Sequence, residues 1–497
     1  MSHKQLIFNT VTFSYEGGTQ PVIRDMSFSL GPGWTSIAGA NGCGKSTLLK
    51  LACAVLSPDS GLVQASGRAL YCPQRTDSPP EGFTDFVREW AFPELMARMG
   101  IEWDWPDRWE TLSHGERKRA QLALALSGDP DVLAVDEPVN HLDTDARNMV
   151  ADALERFSGA GLLVSHDRRL MDRLSVRCGI LQAGSISMRK GGYTVARRED
   201  IREQNILREK REMARKKFHQ MKRDARRKQL TARTLQARSC GREVSYRDIC
   251  MTGVDGPSRI DSSVQKAGQL SRTATARMER AREEMESITF RKEWNRGISL
   301  PGESSHRDIL MELPAGIIPM GSGRLLHPGL ELGSDDRIAL TGPNGSGKST
   351  LIRKMLSSNS MTEDRLVYIP QELTAEESAS ALGSARELKS DTLGHLMSCV
   401  RRLGSDPAAL LKSRLPSPGE TRKLLLCLGL LNSPWLVIMD EPTNHLDLPG
   451  IECLESALRD LQCALLLVSH DELFLRATTD IEWSIERHGD RNELKVL

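Results

Sequence analysis

Short, mainly apolar runs followed by mixed helical patterns recur in both halves of this chain. Four of these runs, at residues 34–38, 132–135, 162–164 and 464–468, have the length of a β-strand and are too short for a helix. Strands that are buried on both faces of a parallel sheet have this near-continuous apolar character. The pattern therefore predicts a parallel α/β unit in each half.

A different pattern occupies the middle of the chain. Residues 197–238 contain 16 basic and 6 acidic residues, and neither proline nor glycine. A helix of ~40 residues is about 60 Å long. A second helical stretch is predicted from about Ser262 to Trp294, and the glycines and the proline between the two stretches predict a turn. We therefore expect a long basic helical hairpin with antiparallel helices.

Charge is distributed unevenly along the chain. Its 497 residues carry a formal net charge of only +1, yet residues 197–296 contain 27 Lys and Arg against 15 Asp and Glu. The remaining residues contain 40 basic and 51 acidic ones. A basic middle between acidic flanks indicates contact with a polyanion. The alternative is a solvated helical spacer that only sets the distance between its flanks.

The composition is ordinary for a globular protein of several domains, with 39% hydrophobic and 27% charged residues. No apolar run approaches the ~20 residues that cross a bilayer, and the first residues, MSHKQLIFNT, do not resemble a secretory signal. The ten cysteines are scattered without metal-ligand spacing, which is typical of reduced thiols. We therefore expect a cytoplasmic protein without membrane contact.

Three motifs occur twice, and the second copy lies about 300 residues after the first. GANGCGKST at 39–47 recurs as GPNGSGKST at 342–350, VDEPVNHLD at 135–143 as MDEPTNHLD at 439–447, and LLVSHD at 162–167 again at 466–471. The repeat predicts two copies of one α/β domain, at residues 1–195 and 301–497, joined by a helical linker at 196–300. The predicted fold class is therefore α/β, with both copies of the domain in one chain.

The first repeated motif has the form of a loop that binds phosphate. Its glycines let successive backbone N–H groups point at phosphate oxygens, and the helix that follows presents its positive end to the same anion. The lysines are expected to contact the β- and γ-phosphates, and the serines to place a hydroxyl on Mg²⁺. The predicted nucleotide-binding residues of the two loops are Gly39, Asn41, Gly42, Gly44, Lys45, Ser46 and Thr47, and Gly342, Asn344, Gly345, Gly347, Lys348, Ser349 and Thr350.

The other two motifs follow strands and carry the groups that hydrolysis needs. Asp136 and Asp440 are predicted to hold Mg²⁺, and the glutamate after each aspartate, Glu137 or Glu441, is predicted to orient or deprotonate the attacking water. Because ligands of such sheets lie beyond the carboxyl ends of the strands, these groups should meet the phosphate loop. The histidines of the third motif, His166 and His470, are candidates to bond the γ-phosphate and respond to its loss.

Two further contacts are predicted from shorter patterns. Gln74 and Gln371 both follow Tyr-X-Pro at a strand end, where an amide oxygen can bind Mg²⁺ or water. Tyr15 is a candidate to stack on adenine, with a core aromatic as the alternative. No aromatic residue stands at the matching place in the second copy, so its adenine contact is left open.

The ordered set of motifs resembles the ATP-binding cassette superfamily in both halves of the chain. Its signature loop corresponds to LSHGE at 112–116 and PSPGE at 416–420. The resemblance implies two P-loop cassettes facing head to tail, with one ATP between the phosphate loop of one cassette and the signature loop of the other. Lys45 would then share a site with Ser417, and Lys348 with Ser113. The signature residues carried over are Ser113, Gly115, Glu116, Ser417, Gly419 and Glu420.

Within that superfamily the chain is similar to the ABC-F branch, because both copies contain NHLD and a long basic helical linker joins them. This resemblance implies a monomeric ATPase that binds the ribosome, with roles in translation or in antibiotic resistance. The alternatives are the tandem ATPase subunit of a membrane importer and a DNA-associated ATPase. The linker would contact ribosomal RNA and tRNA through Arg208, Arg211, Arg215, Arg223, Arg238, Arg242, Tyr246 and Arg247.

Overall fold

The structure is a computed structural model, which describes residues 4–17, 20–89, 92–140, 142–240, 256–288, 302–321, 323–358, 361–413, 416–444, 446–489 and 491–497. The chain divides into two compact units, Met1–Ala196 with Trp294–Leu497, and Arg197–Glu293. The first unit contains two α/β cassettes and the second is helical. The fold class predicted from the sequence is therefore confirmed.

The described residues of the first cassette form nine strands in two sheets. Six strands form a sheet in the order β5-β6-β7-β3-β8-β9, parallel except for β9 at its edge, and β2-β1-β4 form an antiparallel sheet. The strands are β1 (Leu6–Phe13), β2 (Ile23–Leu30), β3 (Gly33–Ala38), β4 (Ser60–Ala65), β5 (Ala69–Cys72), β6 (Val132–Asp136), β7 (Ala160–Val164), β8 (Ser175–Gln182) and β9 (Ser185–Lys190).

Helices cover both faces of the six-stranded sheet. Alternate residues of a strand point to opposite faces, so Leu133 and Val135 enter one hydrophobic cluster while Val132 and Ala134 enter another. This double burial is the reason for the continuous apolar run in the sequence. The helices are α1 (Lys45–Ala52), α2 (Phe83–Arg88), α3 (Pro93–Met99), α4 (His114–Ser127), α5 (Thr144–Glu155) and α6 (Arg168–Leu174), with a 3-10 turn at Trp109–Thr111.

The second cassette repeats this arrangement. Its main sheet has the order β11-β12-β19-β18-β14-β17-β16-β15, and β10 pairs with β13. The strands are β10 (Ile309–Leu313), β11 (Gly316–Met320), β12 (Gly323–His327), β13 (Leu330–Gly333), β14 (Arg337–Thr341), β15 (Leu366–Ile369), β16 (Leu436–Asp440), β17 (Ala464–Val468), β18 (Ile481–His488) and β19 (Arg491–Val496). The run β15-β16-β17-β14-β18 corresponds strand for strand to β5-β6-β7-β3-β8, so the sequence repeat is a structural repeat.

The helices of the second cassette lie on both sides of its main sheet, and every residue of β16 and β17 is buried. In chain order after the two linker helices, α7 (Tyr193–Cys240) and α8 (Gly256–Ser287), they are α9 (Lys348–Ser357), α10 (Ala375–Glu387), α11 (Ser390–Arg402), α12 (Pro407–Lys412), α13 (Pro418–Leu430), α14 (Leu448–Arg459) and α15 (Glu472–Thr478), with a 3-10 turn at Glu363–Arg365. The motifs of the sequence follow β14, β16 and β17, at one end of the sheet.

The described residues of the helical unit form two long antiparallel helices, α7 (Tyr193–Cys240) and α8 (Gly256–Ser287), of which α7 begins in the cassette unit. Lys217 Nζ bonds Glu284 Oε2 at 2.7 Å, and further along α7 Gln229 Nε2 bonds Thr275 Oγ1 at 3.3 Å. Small buried side chains line the contact between the helices: Ala214, Ala225, Ala274 and Ala281. The predicted antiparallel pairing is therefore present.

The second linker helix differs from its predicted limits of about Ser262 to Trp294. It begins at Gly256, because Pro257 fits the first turn of a helix, where its missing N–H has no partner to lose. It ends at Ser287, before the residues Ile288, Thr289 and Phe290, which have low helix propensity. Trp294 lies outside the described residues. No helix in the described part of the chain is long and apolar enough to span a membrane.

Candidate ATP-binding sites at the cassette interface

The two phosphate loops have the same backbone geometry. Gly44 and Gly347 precede α1 and α9 with φ of 103° and 102°, a conformation that only glycine adopts without strain. A Cβ at Gly39 would lie 2.6 Å from the carbonyl oxygen of Leu181, so the loop passes too close to β8 for a side chain. Each loop therefore leads into a helix whose first N–H groups can receive an anion.

The loop lysines also take equivalent positions. Lys45 Nζ donates to the carbonyl oxygens of Gly39 at 2.9 Å and Ala40 at 3.0 Å. Lys348 Nζ donates to Gly342 at 2.7 Å and to Pro343 at 3.0 Å. Both ammonium groups are thus held against the start of their own loop, beside the N–H groups that the helix leaves unpaired.

Oxygen donors for a hard cation meet at each site. Ser349 Oγ donates to Asp440 Oδ2 at 2.6 Å, and Gln371 lines the same cavity. In the first cassette Ser46, Gln74 and Asp136 line one cavity, although Asp136 Oδ2 accepts its bond from Tyr71 Oη at 3.2 Å instead. Hydroxyl, carboxylate and amide oxygens are the ligands that Mg²⁺ prefers, so the donor sets fit this ion.

The glutamate after each of these aspartates has a strained backbone. Glu137 and Glu441 have φ of 49° and 51°, the left-handed region that non-glycine residues rarely adopt. Their backbone N–H groups bond the carbonyls of Val164 at 2.9 Å and Val468 at 2.8 Å, at the end of the next strand. Strain of this kind persists only where the surroundings impose it, and it fixes the direction of each carboxyl group.

Each of these glutamates faces a histidine. His166 Nε2 lies 3.2 Å from Glu137 Oε1, and His470 Nε2 lies 3.4 Å from Glu441 Oε1. Neither Oε1 has a hydrogen-bond partner among the described residues, although both are buried. A buried acceptor without a partner is costly, so these two oxygens are suited to a polar group such as water.

Burial shifts the titration of these four groups. Desolvation, with the charge of Asp136 adding to it, raises the pKa of Glu137 to about 8, and desolvation raises the pKa of Glu441 to about 7. Desolvation and the nearby lysine charges lower the pKa of His166 to about 4 and that of His470 to about 3. The imidazoles are therefore neutral at physiological pH, and the carboxyl groups can take up a proton there.

The first cavity, of about 670 Å³, is formed by both cassettes. From the first cassette it is lined by Lys45, Glu137 and His166, and from the second by Ser417 and Asn444. The structure thus brings the phosphate loop of one cassette to the signature loop of the other, as the superfamily resemblance implies for this pair. The predicted Asn41, Gly42, Gly44 and Thr47 line it too.

The second cavity, of about 390 Å³, differs from the first in its lining residues, although the motifs of the two cassettes are alike. Lys348, Glu441 and His470 line it together with Asn344, Gly345, Gly347 and Thr350. Among the described residues of the first cassette, Arg147 lines this cavity and Ser113 does not. The predicted pairing of Lys348 with Ser113 therefore does not appear as a shared cavity.

The signature serines cap the helices that follow them. Ser113 accepts a bond from the backbone N–H of Glu116 at the start of α4, and Ser417 accepts one from Glu420 at the start of α13. Each glutamate reaches back to the backbone N–H of its serine, which completes a capping box. Gly115 has no room for a side chain, since a Cβ would lie 2.5 Å from Leu142 Cδ2. Gly115, Glu116, Gly419 and Glu420 thus shape the loops without lining either cavity.

Tyr15 lies at the mouth of the first cavity, with 46% of its surface exposed. Its hydroxyl is 3.0 Å from Thr47 Oγ1, which holds the ring beside the phosphate loop. In the second cassette Met320 lines the cavity at its loop. The sequence did not single out Met320, because a lone methionine at the end of a strand belongs to no motif.

The sequence did not single out two buried cationic side chains that bond carbonyl groups of the two sites. Lys118 on α4 donates to the carbonyls of Pro73 at 2.6 Å and Asp136 at 2.9 Å, and burial lowers its pKa to about 8. At the equivalent position of α13, Arg422 bonds the carbonyls of Gln371 and Asn444. Their signal was a basic residue three positions after the signature glycine in both copies.

The predicted RNA-contact arginines whose side chains the structure describes lie on α7 and are partly or fully exposed. Arg208 pairs with Glu212 at 3.5 Å, whereas Arg215 and Arg223 are exposed. Arg211 is half-buried. The backbone of Arg238 is helical, and the predicted Arg242, Tyr246 and Arg247 lie outside the described residues. Exposed basic side chains thus lie on α7, and α8 also exposes Arg272, Arg277 and Arg280.

The repeated cassettes and their paired sites define a twin-cassette ATPase. A family model described as "ABC transporter" matches residues 23–140 and 326–444, one match in each cassette, so both cassettes carry the ATP-binding domain of the ABC ATPases. The curated relatives of this chain include ABC-F proteins, which confirms the resemblance drawn from the motifs.

Two relatives match almost the whole chain. The "Ribosome protection protein VmlR" of Bacillus subtilis is 28% identical over 98% of this chain and 88% of its own length. The "Tylosin resistance ATP-binding protein TlrC" of Streptomyces fradiae is 27% identical over 94% of both. Among solved structures, the archaeal ribosome recycling factor aABCE1, in complex with ribosomal stalk protein aP1, superimposes with a TM-score of 0.63 at 19% identity, over 98% of this chain and 89% of that one. At that identity the likeness concerns the fold alone.

Proposed function

We propose that this chain is an ABC-F ATPase that binds the ribosome with two ATP molecules bound and leaves it after hydrolysis. The observation that carries the proposal is the shared first cavity, where Lys45 and Ser417 of opposite cassettes line one site. A ligand held between two domains favours the arrangement in which they meet. Relatives with resistance and ribosome protection in their names extend this ATPase to antibiotic resistance or translation.

The geometry of each site supports a role for each of its residues. Lys45 and Lys348 bind the β- and γ-phosphates, since an ammonium group is a strong point charge for phosphate. Mg²⁺, held by Ser46, Gln74 and Asp136 or by Ser349, Gln371 and Asp440, neutralises charge on the phosphate oxygens when bound. The cassettes extend over 1–195 and 301–497, so one chain supplies both halves of each site and a monomer is sufficient.

Glu137 and Glu441 act as the bases at the attacking water. Each has a buried Oε1 without a partner and a pKa raised by burial, which are the properties of a group that accepts a proton near neutral pH. His166 and His470 are neutral and close to these carboxyl groups, so each can orient a glutamate and donate one bond to the γ-phosphate. Ser417 and the N-terminus of α13 complete the anion site at Lys45 from the opposite cassette.

The linker carries the contact with the ribosome. Exposed arginines on α7, such as Arg215 and Arg223, present guanidinium groups that suit phosphate oxygens of RNA. Contact with ribosomal RNA or tRNA would place the protein in the cytoplasm. Hydrolysis removes the γ-phosphate that both cassettes hold, so the population shifts toward the separated form and the ribosome is released.

The experiment is a pull-down of ribosomes with the double variant Glu137→Gln and Glu441→Gln. The variant should bind two ATP, hydrolyse them at least about 100-fold more slowly, and sediment with ribosomes. The matched control is Lys45→Ala with Lys348→Ala, which should sediment far less at micromolar ATP because its ATP affinity is lower at both sites. Equal sedimentation of both variants, or ATP-dependent binding of DNA instead of ribosomes, would contradict the proposal.

A further inference from the structure

Arg147 of the first cassette reaches into the second. It lies in the first turn of α5, four residues after Asp143, the N-cap of that helix. Its Nη1 donates to the carbonyl oxygen of His470 at 2.8 Å, across 323 residues of sequence, and to Asp167 Oδ2 at 3.3 Å. Its Nε donates to the carbonyl of Leu142 at 2.9 Å, which fixes the guanidinium plane. The side chain is 21% exposed and lines both cavities.

The partners of Arg147 belong to the two loops that carry the site histidines. Asp167 follows His166 directly and caps α6, whereas the carbonyl group is that of His470 itself. The ring of His470 in turn contacts Asn344 Oδ1 at 3.1 Å and Glu441 Oε1 at 3.4 Å. One guanidinium group therefore joins the histidine loop of the first cassette to the histidine, the phosphate loop and the glutamate of the second.

The position of the second cassette that corresponds to Arg147 carries an apolar side chain. The repeated NHLD motifs align Arg147 with Ile451, a buried residue that lines the first cavity from the second cassette. An isoleucine side chain cannot donate a hydrogen bond or carry a charge to the Lys45 site. The Lys348 site therefore receives a cation from the opposite cassette, and the Lys45 site receives an apolar side chain.

Arg168 continues the same asymmetry. Its Nη1 bonds Glu455 Oε2 at 2.9 Å and its Nη2 bonds Asp471 Oδ2 at 3.4 Å, both on the second cassette. The repeat aligns Arg168 with Glu472, which is itself paired with Arg169 of the first cassette. The cations of this contact thus come from the first cassette and the anions from the second. Buried pairs of this kind are sensitive to loss of one partner, which leaves an unpaired charge.

We propose that Arg147 is a positioning residue for the Lys348 site, through which the first cassette controls hydrolysis in the second, without a counterpart in the opposite direction. By holding the carbonyl of His470, it keeps the imidazole against Glu441 and Asn344. When the histidine loop of the first cassette moves, Asp167 shifts the guanidinium group and the contact with His470 changes. The proposal rests on the proposed roles of Glu137 and Glu441, but it does not depend on the ribosome.

The test isolates each site with a glutamate variant of the full chain. Glu137→Gln leaves hydrolysis at the Lys348 site, and Glu441→Gln leaves hydrolysis at the Lys45 site. Adding Arg147→Ile should lower kcat about tenfold in the Glu137→Gln background, with little change in KM, and by less than about twofold in the Glu441→Gln background. Arg147→Lys, which retains the charge and one donor, should recover part of the loss.

Controls separate positioning from folding. Arg173→Ile removes an arginine that pairs with Asp152 and Glu155 on the first cassette surface, and it should leave kcat unchanged in both backgrounds. An equal loss of kcat in both backgrounds, or no loss at the Lys348 site, would overturn the proposal. The roles of the glutamates are tested beforehand, because the double glutamine variant without any change at Arg147 should be inactive.

Discussion

The backbone N–H of Asn41 in the first phosphate loop donates a 2.9 Å hydrogen bond to the carboxylate of Asp447, 406 residues further along the chain. Asp447 is also the N-cap of α14, where it accepts from Gly450. A single side chain thus ties the loop that receives phosphate to the start of a helix in the other cassette. A displacement of the phosphate loop would therefore act directly on this helix of the other cassette.

Replacement of this side chain should weaken both the helix and the first site. Asp447→Ala should lower the free energy of unfolding by about 1 kcal/mol through loss of the cap. It should also slow hydrolysis at the Lys45 site, measured as single-turnover ATP hydrolysis in the Glu441→Gln background. Asp406→Ala is the control, since Asp406 caps α12 in the same way at the protein surface. If both variants lost activity equally, the cross-cassette bond would have no role of its own.

The two loop lysines should each account for one ATP. Lys348→Ala removes charge-assisted bonds worth about 1.5–3 kcal/mol, so ATP affinity at that site should fall about 10- to 100-fold. Isothermal titration at micromolar ATP should then detect one site where the parent protein has two. Lys354→Ala, in the last turn of the same helix, provides the control. A parent stoichiometry of one would contradict the assignment of two sites.

Removal of the divalent cation should stop hydrolysis while leaving the fold intact. Ser349 and Asp440 bond each other at 2.6 Å, so these oxygens retain a partner when Mg²⁺ is withdrawn. Excess EDTA should abolish phosphate release, and the melting temperature should change by no more than a few degrees. Recovery of activity on adding Mg²⁺, but not Na⁺, completes the test. Full hydrolysis in EDTA would refute the proposed Mg²⁺ sites.

The exposed face of α7 should supply affinity for RNA. The double variant Arg215→Glu with Arg223→Glu should weaken ribosome binding. The slope of the logarithm of the binding constant against the logarithm of the salt concentration should become shallower by roughly 1–2, because binding with fewer phosphate contacts releases fewer counterions. The rate of ATP hydrolysis without ribosomes should stay the same, since neither arginine lines either of the two ATP cavities. The charge-matched control is Arg476→Glu with Arg487→Glu on the second cassette. Equal weakening by that control would point to net charge alone.

Much of the fold was predictable because the motifs and the buried strands are local features. The runs at 132–135 and 464–468 became β6 and β17, since a strand covered on both faces has no polar side to interrupt it. The phosphate loops could be located because only glycine permits their turns. The predicted start of α8 was wrong because proline occurs both in turns and in the first turn of helices. The sequence alone therefore did not show that Pro257 begins the helix.

The sequence by itself determined that two like cassettes with like loops occur in one chain, with a basic helical pair between them. Only the tertiary structure decided how the two sites differ, because that depends on which side chains meet across the interface. Arg147 and Ile451 lie outside the repeated motifs, and the groups that they meet across the interface are distant in sequence. Neither motif spacing nor hydrophobic periodicity therefore identifies them. A repeat in sequence specifies equal halves, whereas the contacts between the halves made the Lys348 site unlike the Lys45 site.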